Sequence, residues 1–198
     1  MNKPFKGKVI CTSSGRWVGP DQGAPSVYDA ASALGKLCRY AGHCKEFWSV
    51  LVHTFVVDDL TKGEAKLYSH VHDTTESVIN DVPTPFKIPT MKELEARMYN
   101  RILKDWHLPY PEKHILVQVH QADFDALLGE IWTIGPPGLR NLKQFKNRNR
   151  KAERLVKLYQ KKYPPSDTVR STGRAVKEFI RRYAEYRKAL DANNRTIV

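Results

Sequence analysis

Three groups of prolines decide where regular structure can run in this sequence. They are Pro83, Pro85 and Pro89, then Pro136 and Pro137 between two glycines, then Pro164 and Pro165. Proline disfavours helix at its own position and at the residue before it, so each group ends one element and precedes another. Between these groups, apolar residues recur at intervals of three and four, the spacing of one face of an α-helix.

This pattern predicts seven helices and no series of strands. Ser26 can cap the first helix, and Gly42 is a suitable stop for it. The others are predicted over about residues 46–60, 63–79, 90–104, 111–132, 148–163 and 168–192. Because most connections are short, antiparallel neighbours are expected. The predicted fold class is all-α, a helical bundle.

Length and composition favour a globular protein. The chain has 198 residues, of which 41% are hydrophobic and 27% charged, enough to bury a sizeable core. We predict a core over residues 1–139 and a basic helical extension over residues 140–198 that packs on it. No apolar run approaches the roughly 20 residues of a membrane span. Residues 1–15 lack the apolar stretch of a signal peptide, and the three cysteines lack a disulfide or zinc spacing, so the cytoplasm is expected.

The positive charge is unevenly distributed. The formal net charge is +12, and the basic residues gather after Leu139. They include Arg140, Lys143, Lys146, Arg148, Arg150, Lys151, Lys161, Lys162, Arg181, Arg182 and Arg187. Such a surface attracts nucleic acid, nucleotides or anionic lipid. The alternative is a solvated basic face with no partner.

A polar cluster interrupts the apolar pattern near the end of the third predicted helix. His72 lies four positions and Asp73 three positions before Glu76, so all three project from roughly one face of a helix. An adjacent His and Asp can both ligate one metal, with Glu76 beside it as a general acid or base. A histidine that lies by chance in an acidic helix end is the alternative.

Two further residues can complete a metal site. His53 lies among apolar residues of the second predicted helix, where it is either a satisfied core residue or a ligand. Asp123 lies near the apolar stripe of the fifth, where a carboxylate needs a cation partner; Asp125 is the more exposed alternative. Two imidazoles and two carboxylates from three helices make a sensible mononuclear site with open positions.

The ordered set His53, His72-Asp73 and Asp123 resembles the H…HD…D signature of the HD phosphohydrolases, and further segments resemble their 5'-deoxynucleotidase-like branch. These segments are Gly15-Arg16-Trp17, Cys38-Arg39-Tyr40, Gly42-His43, Phe47-Trp48-Ser49-Val50, the D-x-P-x-P-x-K loop from Asp81 to Lys87, and Ala122-Asp123 with Leu127 and Glu130. The resemblance covers about residues 12–132. It departs beside His53, where Val52 and Thr54 replace the usual Gln or Glu and Ser, so the group that orients this ring is not predicted.

The resemblance implies roles for these residues. His53, His72, Asp73 and Asp123 would hold a divalent transition metal (cobalt, manganese or zinc), and Glu76 would act on the attacking water or the leaving oxygen. Four substrate contacts are also implied. Arg16 would pair with phosphate and Lys87 is a second phosphate candidate, while Trp17 would stack on a base and Asp81 would accept from a sugar hydroxyl.

The activity implied is hydrolysis of a deoxynucleotide in the cytoplasm of a bacterium or a phage-infected cell. A 5'-deoxynucleotidase, which releases phosphate from a deoxynucleoside monophosphate, is the first expectation. A deoxynucleoside triphosphate triphosphohydrolase is the alternative, since it would use the same metal site. A third interpretation is a nucleic-acid-binding protein with a structural metal, which the basic helices favour. The expected partners are a nucleotide, further copies of the chain and nucleic acid, with no membrane.

Overall fold

The structure, a computed structural model, describes residues 8–196, with side chains to residue 193. The first seven of the residues considered for a signal peptide therefore lie outside the described part. Eight α-helices follow a short antiparallel hairpin of β1 (Ile10–Cys11) and β2 (Trp17–Val18). The helices are α1 (Val27–Leu34), α2 (Val50–Leu60), α3 (Ala65–Val71), α4 (Glu76–Ile79), α5 (Pro89–Asp105), α6 (Lys113–Thr133), α7 (Arg150–Lys162) and α8 (Thr168–Thr196). The predicted all-α class is confirmed.

Helix α1 begins as predicted but ends earlier. Ser26 caps it, and the Ser26 and Asp29 side chains bond each other's backbone N–H groups in a capping box. The helix ends at Gly35 rather than Gly42. The residues that follow are not α-helical. The backbones of Cys38 and Ser49 pair in an isolated antiparallel β-bridge, and a 3-10 turn covers Arg39–Gly42.

The predicted third helix is two short helices joined by a turn. Helix α3 ends at Val71 and α4 begins at Glu76. Between them, the Thr74 hydroxyl donates to the Val71 carbonyl at 2.8 Å, and His72 Nδ1 lies 2.6 Å from the Ser69 carbonyl. These side chains occupy carbonyls that a continuous helix would use for its own backbone bonds. His72 and Asp73 lie in this turn.

Helix α2 is at the centre of the bundle. Nine of its 11 residues are buried, and it contacts α3, α6, α7 and α8. One apolar cluster joins Phe55 of α2 to Tyr159 of α7 and Phe179 of α8, so the helices after residue 140 pack on the same core. The division at residue 139 stays a prediction.

Helices α6 and α7 cross closely, whereas α5 is more loosely held. A Cβ on Gly129 of α6 would lie 2.6 Å from that of Ala152, so this crossing requires glycine. Helix α5 buries only Met98, Ile102 and Leu103 of its 17 residues. None of the helices described combines the length and apolar character needed to cross a bilayer.

Candidate metal centre

Four predicted ligands converge beside α2. His53 comes from the middle of α2, His72 and Asp73 from the α3–α4 turn, and Asp123 from α6. His53 Nε2 lies 3.0 Å from Asp123 Oδ1 and 3.7 Å from Asp73 Oδ2. His72 Nε2 lies 3.1 Å from Asp73 Oδ2 and 4.0 Å from Asp123 Oδ1. Ligand atoms of His53, His72 and Asp123 all lie within 4.8 Å of one another.

Two of the proposed ligand atoms lack hydrogen-bond partners. His72 Nε2 and Asp73 Oδ2 are buried and neither has a hydrogen-bond partner, although they are 3.1 Å apart. Burying an unsatisfied polar atom costs about 1–3 kcal/mol. A cation shared by the two histidines and two aspartates would satisfy both atoms, and mixed nitrogen and oxygen ligands suit zinc, manganese or cobalt.

The pKa shifts of His53 and Asp123 also favour a cation at this site. Burial lowers the pKa of His53. The Glu130 charge and the hydrogen bond to Asp123 have a larger, opposite effect, so the pKa rises to about 10. Burial raises the pKa of Asp123, and His53 outweighs this and holds it below its ordinary value. The carboxylates therefore favour positive charge on the imidazoles, the charge that a metal supplies when the ligands are deprotonated.

Glu130 orients the His53 ring. Its fully buried carboxylate lies 2.7 Å from His53 Nδ1 and accepts bonds from Trp48 Nε1 at 2.7 Å and from Arg39 Nε and Tyr40 Oη, each at 3.1 Å. Burial raises the pKa of Glu130, but Arg39 and His53 lower it to about 2. A carboxylate on the second nitrogen fixes which nitrogen of a ligand histidine faces the metal.

Sequence reasoning gave Glu130 no role, although a signal was present. Glu130 follows Asp123 by seven positions, which is two helical turns, so both project from one face of α6. An acidic residue that repeats the position of a ligand in a buried stripe needs a partner. Arg39, Tyr40 and Trp48 belong to the segments that carry the family resemblance, and the structure gives their shared contact.

Glu76 is buried beside the centre at the start of α4. Burial and the charges of Asp73 and Asp81 raise its pKa to about 9. Its Oε2 has no hydrogen-bond partner, and Lys87 Nζ lies 3.9 Å from its Oε1. Burial and these neighbouring charges therefore favour the protonated form of Glu76 in the absence of a cation. A cation would offset the Asp73 charge and bring the pKa closer to neutrality.

The centre opens into a cleft of about 610 Å³, within the usual size range of small-ligand sites. His72, Asp73, Glu76 and Asp123 line it on one side. Lys87 and Lys92, three tyrosines (Tyr68, Tyr99 and Tyr110) and the apolar residues Leu116 and Val119 line the rest. His120 is an exposed residue at the same cleft. The cleft thus joins donor atoms to cations and aromatic rings.

The predicted substrate residues differ in their relation to this cleft. Lys87 lines it and pairs with Glu95 at 3.0 Å. Asp81 lies close enough for burial and the Asp73 charge to raise its pKa. Arg16 and Trp17 are not among the lining residues. Arg16, just before β2, pairs with Asp105 at the end of α5 at 3.0 Å. Their substrate roles stay predictions.

His70 and Asp125, each two positions from a proposed ligand, lie outside the centre. His70 points from α3 toward α8, where its ring stacks on Phe179 at 4.0 Å and its Nε2 lies 2.9 Å from the Phe179 carbonyl. Asp125 accepts a bond from Gln121 on the surface of α6. Asp123 is the aspartate of α6 that faces His53.

Comparison with known proteins gives a relative but no activity. No protein-family model matches the sequence. The chain is similar to YfdR of Escherichia coli strain K12, described as an uncharacterized protein, with 29% identity over 117 residues. The match covers 54% of this chain and 66% of YfdR, slightly under two thirds of that protein.

Proposed function

We propose that this chain is a metal-dependent nucleotide phosphohydrolase of the HD type, acting as a 5'-deoxynucleotidase on deoxynucleoside monophosphates. The observation that carries the proposal concerns two buried atoms, His72 Nε2 and Asp73 Oδ2, which have no hydrogen-bond partner and could both bind a metal. Both residues line a cleft that Glu76 also lines. The family resemblance over residues 12–132 points to the same reaction.

His53, His72, Asp73 and Asp123 would hold a cobalt, manganese or zinc ion. Such an ion supplies positive charge that polarises a phosphoryl oxygen. Glu130 keeps the His53 ring in place while the reaction proceeds. Glu76, buried beside these ligands, is suited to accept a proton from the attacking water or to donate one to the leaving oxygen.

The cleft provides contacts for the rest of a nucleotide. The Lys87 ammonium is shared between Glu76 and Glu95, so it is already held where phosphate would sit. Tyr99 and Tyr110 offer ring faces for a sugar or base. Asp81 is the candidate acceptor for a sugar hydroxyl, and Arg16 and Trp17 would contribute if the hairpin approached the cleft.

A deoxynucleoside triphosphate triphosphohydrolase is the second candidate. Lys92 lines the same cleft as Lys87, and two lysines can accommodate more than one phosphate. In this reaction the products are a deoxynucleoside and intact triphosphate. The two activities therefore differ in their products and share the metal ligands.

The test is a product assay with defined metals. Purified protein, stripped with a chelator and reloaded with manganese, cobalt or zinc, is incubated with deoxynucleoside mono- and triphosphates, and the products are separated by chromatography. Nucleoside plus phosphate from a monophosphate is the expected result. The Glu76→Gln variant should lose a factor of roughly 10² to 10⁴ in rate while retaining metal.

Two variants control this assay. The double variant His72→Ala with Asp73→Ala should lose all activity, whereas His114→Ala, which removes an exposed histidine that pairs with Glu112 and does not line the cleft, should retain it. Release of nucleoside and intact triphosphate from a deoxynucleoside triphosphate would instead support the triphosphohydrolase. A folded protein that yields no product with any of the three metals would overturn both.

We further propose that the chain works as a homo-oligomer in the cytoplasm of a bacterium or a phage-infected cell. Phe86 and Ile88, in the segment before α5, are 71% and 57% exposed, and Tyr110 is 62% exposed. Large apolar groups at a surface are typical of interfaces when they are contiguous. Light scattering on the purified protein gives its mass directly; a monomer at micromolar concentration would contradict this proposal.

A further inference from the structure

Nearly all the net charge of the chain lies in one short segment. Residues 140–177 contain 13 Lys and Arg against 2 Asp and Glu, a formal charge of +11 compared with +12 for all 198 residues. None of the proposed metal ligands lies in this segment. The proposed phosphohydrolase reaction therefore leaves the charge unexplained.

Some of these cations are already neutralised within the protein. Arg148 and Arg150 share the Glu153 carboxylate, at 2.6 and 3.4 Å. Arg140 and Arg148 also lie over the Trp132 ring, at 5.5 and 4.7 Å from its centroid. Arg140 and Arg148 therefore hold the segment against α6, while Arg150 pairs within α7.

Others have no such contacts. Within residues 8–193, the side chains of seven cations of this segment make no ion pair, hydrogen bond or ring contact. They are Lys143, Lys146, Lys151, Arg154, Lys157, Lys161 and Lys177. The last turns of α8 differ, because Arg181 and Arg187 pair with carboxylates of Glu178, Glu185 and Asp191. An ordinary solvated face mixes the two signs in the way that α8 does.

Four of the seven form a stripe along α7, called here the α7 stripe: Lys151, Arg154, Lys157 and Lys161. At 3.6 residues per turn they fall within about a third of the helix circumference and span about 15 Å. All four are exposed. The stripe lies opposite the buried side of α7, where Ala152, Val156 and Tyr159 pack into the core.

We propose that the α7 stripe binds the phosphate backbone of a nucleic acid without reading its sequence. A row of unpaired cations along a straight helix matches a row of regularly spaced phosphates. A lipid surface fits less well, because interfacial helices bury an apolar face in the bilayer and the apolar face of α7 is already buried in the core. The proposal depends only on these charges and is independent of the metal centre.

The test is binding of the full-length protein to labelled 20-base-pair duplex and single-stranded DNA, followed by fluorescence anisotropy across a range of salt concentrations. A chelator keeps the metal centre out of the measurement. The stripe variant replaces Lys151, Arg154, Lys157 and Lys161 with glutamine, which retains good helix propensity. The matched control replaces four exposed lysines elsewhere, Lys62, Lys104, Lys113 and Lys188, and so removes the same charge.

We expect wild-type binding to weaken steeply with salt, and the stripe variant to bind at least tenfold more weakly at about 100 mM salt. For each phosphate that the variant no longer neutralises, the slope of log K against log salt should fall by about 0.9 on a duplex. The scattered control should keep the wild-type slope. Equal losses in both variants, no wild-type binding at 50 mM salt, or tighter binding to phosphatidylserine vesicles than to DNA would each overturn the proposal.

Discussion

At the scale of single residues, Glu130 holds His53 of the proposed metal centre in place. Its carboxylate is in contact with one ligand histidine and three side chains that come before α2 in the chain. Removing its charge leaves the Arg39 guanidinium without its counter-ion and weakens the hold on His53. The consequence is a less ordered ligand, because a metal histidine is oriented by the group on its second nitrogen.

We therefore predict that Glu130→Gln lowers the affinity for manganese or zinc by about 10- to 100-fold, measured by isothermal titration calorimetry. Glu153→Gln is the matched control, since Glu153 is also a buried glutamate with arginine partners but belongs to α7. It should destabilise the fold and leave the metal affinity unchanged. Equal metal affinity in the Glu130 variant and the wild type would contradict the orienting role.

Asp29 gives a pH-dependent prediction at the same scale. Burial raises its pKa, but bonds from the Ser14 and Ser26 hydroxyl and backbone N–H groups lower it to about 2, from an ordinary value of 3.8. A lowered folded-state pKa contributes stability that is present above pH 4 and lost as the pH falls toward 2. Asp29→Asn should cost about 1–2 kcal/mol at pH 7.

Urea unfolding of Asp29→Asn and wild type at several pH values measures this difference. It should shrink between pH 4 and pH 2, as the wild-type carboxylate becomes protonated and the two proteins become alike. A difference that stays constant over this range would show that Asp29 acts through packing and not through its charge.

At the scale of elements, α8 is fastened to α2 by a buried ion network. Arg182 donates to Asp58 and Asp59 at 2.8 and 2.9 Å, and to the Tyr159 hydroxyl of α7 at 2.8 Å. The Asp58 side chain is fully buried, and the Tyr186 hydroxyl also donates to it. Three helices meet at this point, so the last helix is part of the bundle and not an appended tail.

Removing one partner of a buried ion pair leaves the other charge buried and uncompensated. We predict that Arg182→Met lowers the free energy of unfolding by about 3 kcal/mol, measured by urea denaturation. Arg181→Met is the matched control, because Arg181 shares the contact with Glu178 but is exposed; its expected loss is below about 1 kcal/mol. Similar losses in both variants would remove the special role of the Asp58 contact.

Sequence periodicity predicted the later helices better than the earlier ones. Helices α5 to α8 begin and end within about four residues of the predicted limits, because proline groups bound them. The break at His72 was not predicted, because it depends on side chains that bond to carbonyls one turn earlier. The early end of α1 depends on a bridge between Cys38 and Ser49, which are 11 positions apart, and no local pattern reports such a contact.

The candidate site divides in the same way. The four ligands were predicted from polar residues in apolar helices and from the order of the motif, and the structure brings them together. Glu130 received no role because its partners come from a segment some 90 residues earlier. The substrate roles of Arg16 and Trp17 depend on where a surface hairpin packs, and the helical pattern does not determine that.

At the scale of the whole molecule, a metal at this centre would link α2, α6 and the α3–α4 turn. A ligand that binds only the folded state stabilises it by about 2.7 kcal/mol at 100 times its dissociation constant. For a chain of this size that corresponds to an increase of about 5–10 °C in Tm. The double variant His72→Ala with Asp73→Ala should show no increase, whereas Glu76→Gln should show the full one.

Differential scanning fluorimetry with manganese, cobalt and zinc measures this shift, with magnesium as a comparison ion that favours oxygen ligands. It reports on binding without requiring turnover, so it separates a failure of the metal centre from a wrong choice of substrate. An equal increase in the double variant would place the ion elsewhere on the protein.

The helices around the cleft differ in how much of their surface is buried in the core. The proposed ligands come from α2, α6 and the α3–α4 turn. Lys92, Glu95 and Tyr99, which also line the cleft, come from α5, a helix that buries only three residues. Substitutions at the cleft-lining positions of α5 are therefore expected to cost little stability and to leave the ligands in place. Chains that share the proposed metal ligands could therefore diverge in the molecules that the cleft accepts, so descent from a common ancestor would preserve the proposed chemistry more faithfully than the choice of substrate.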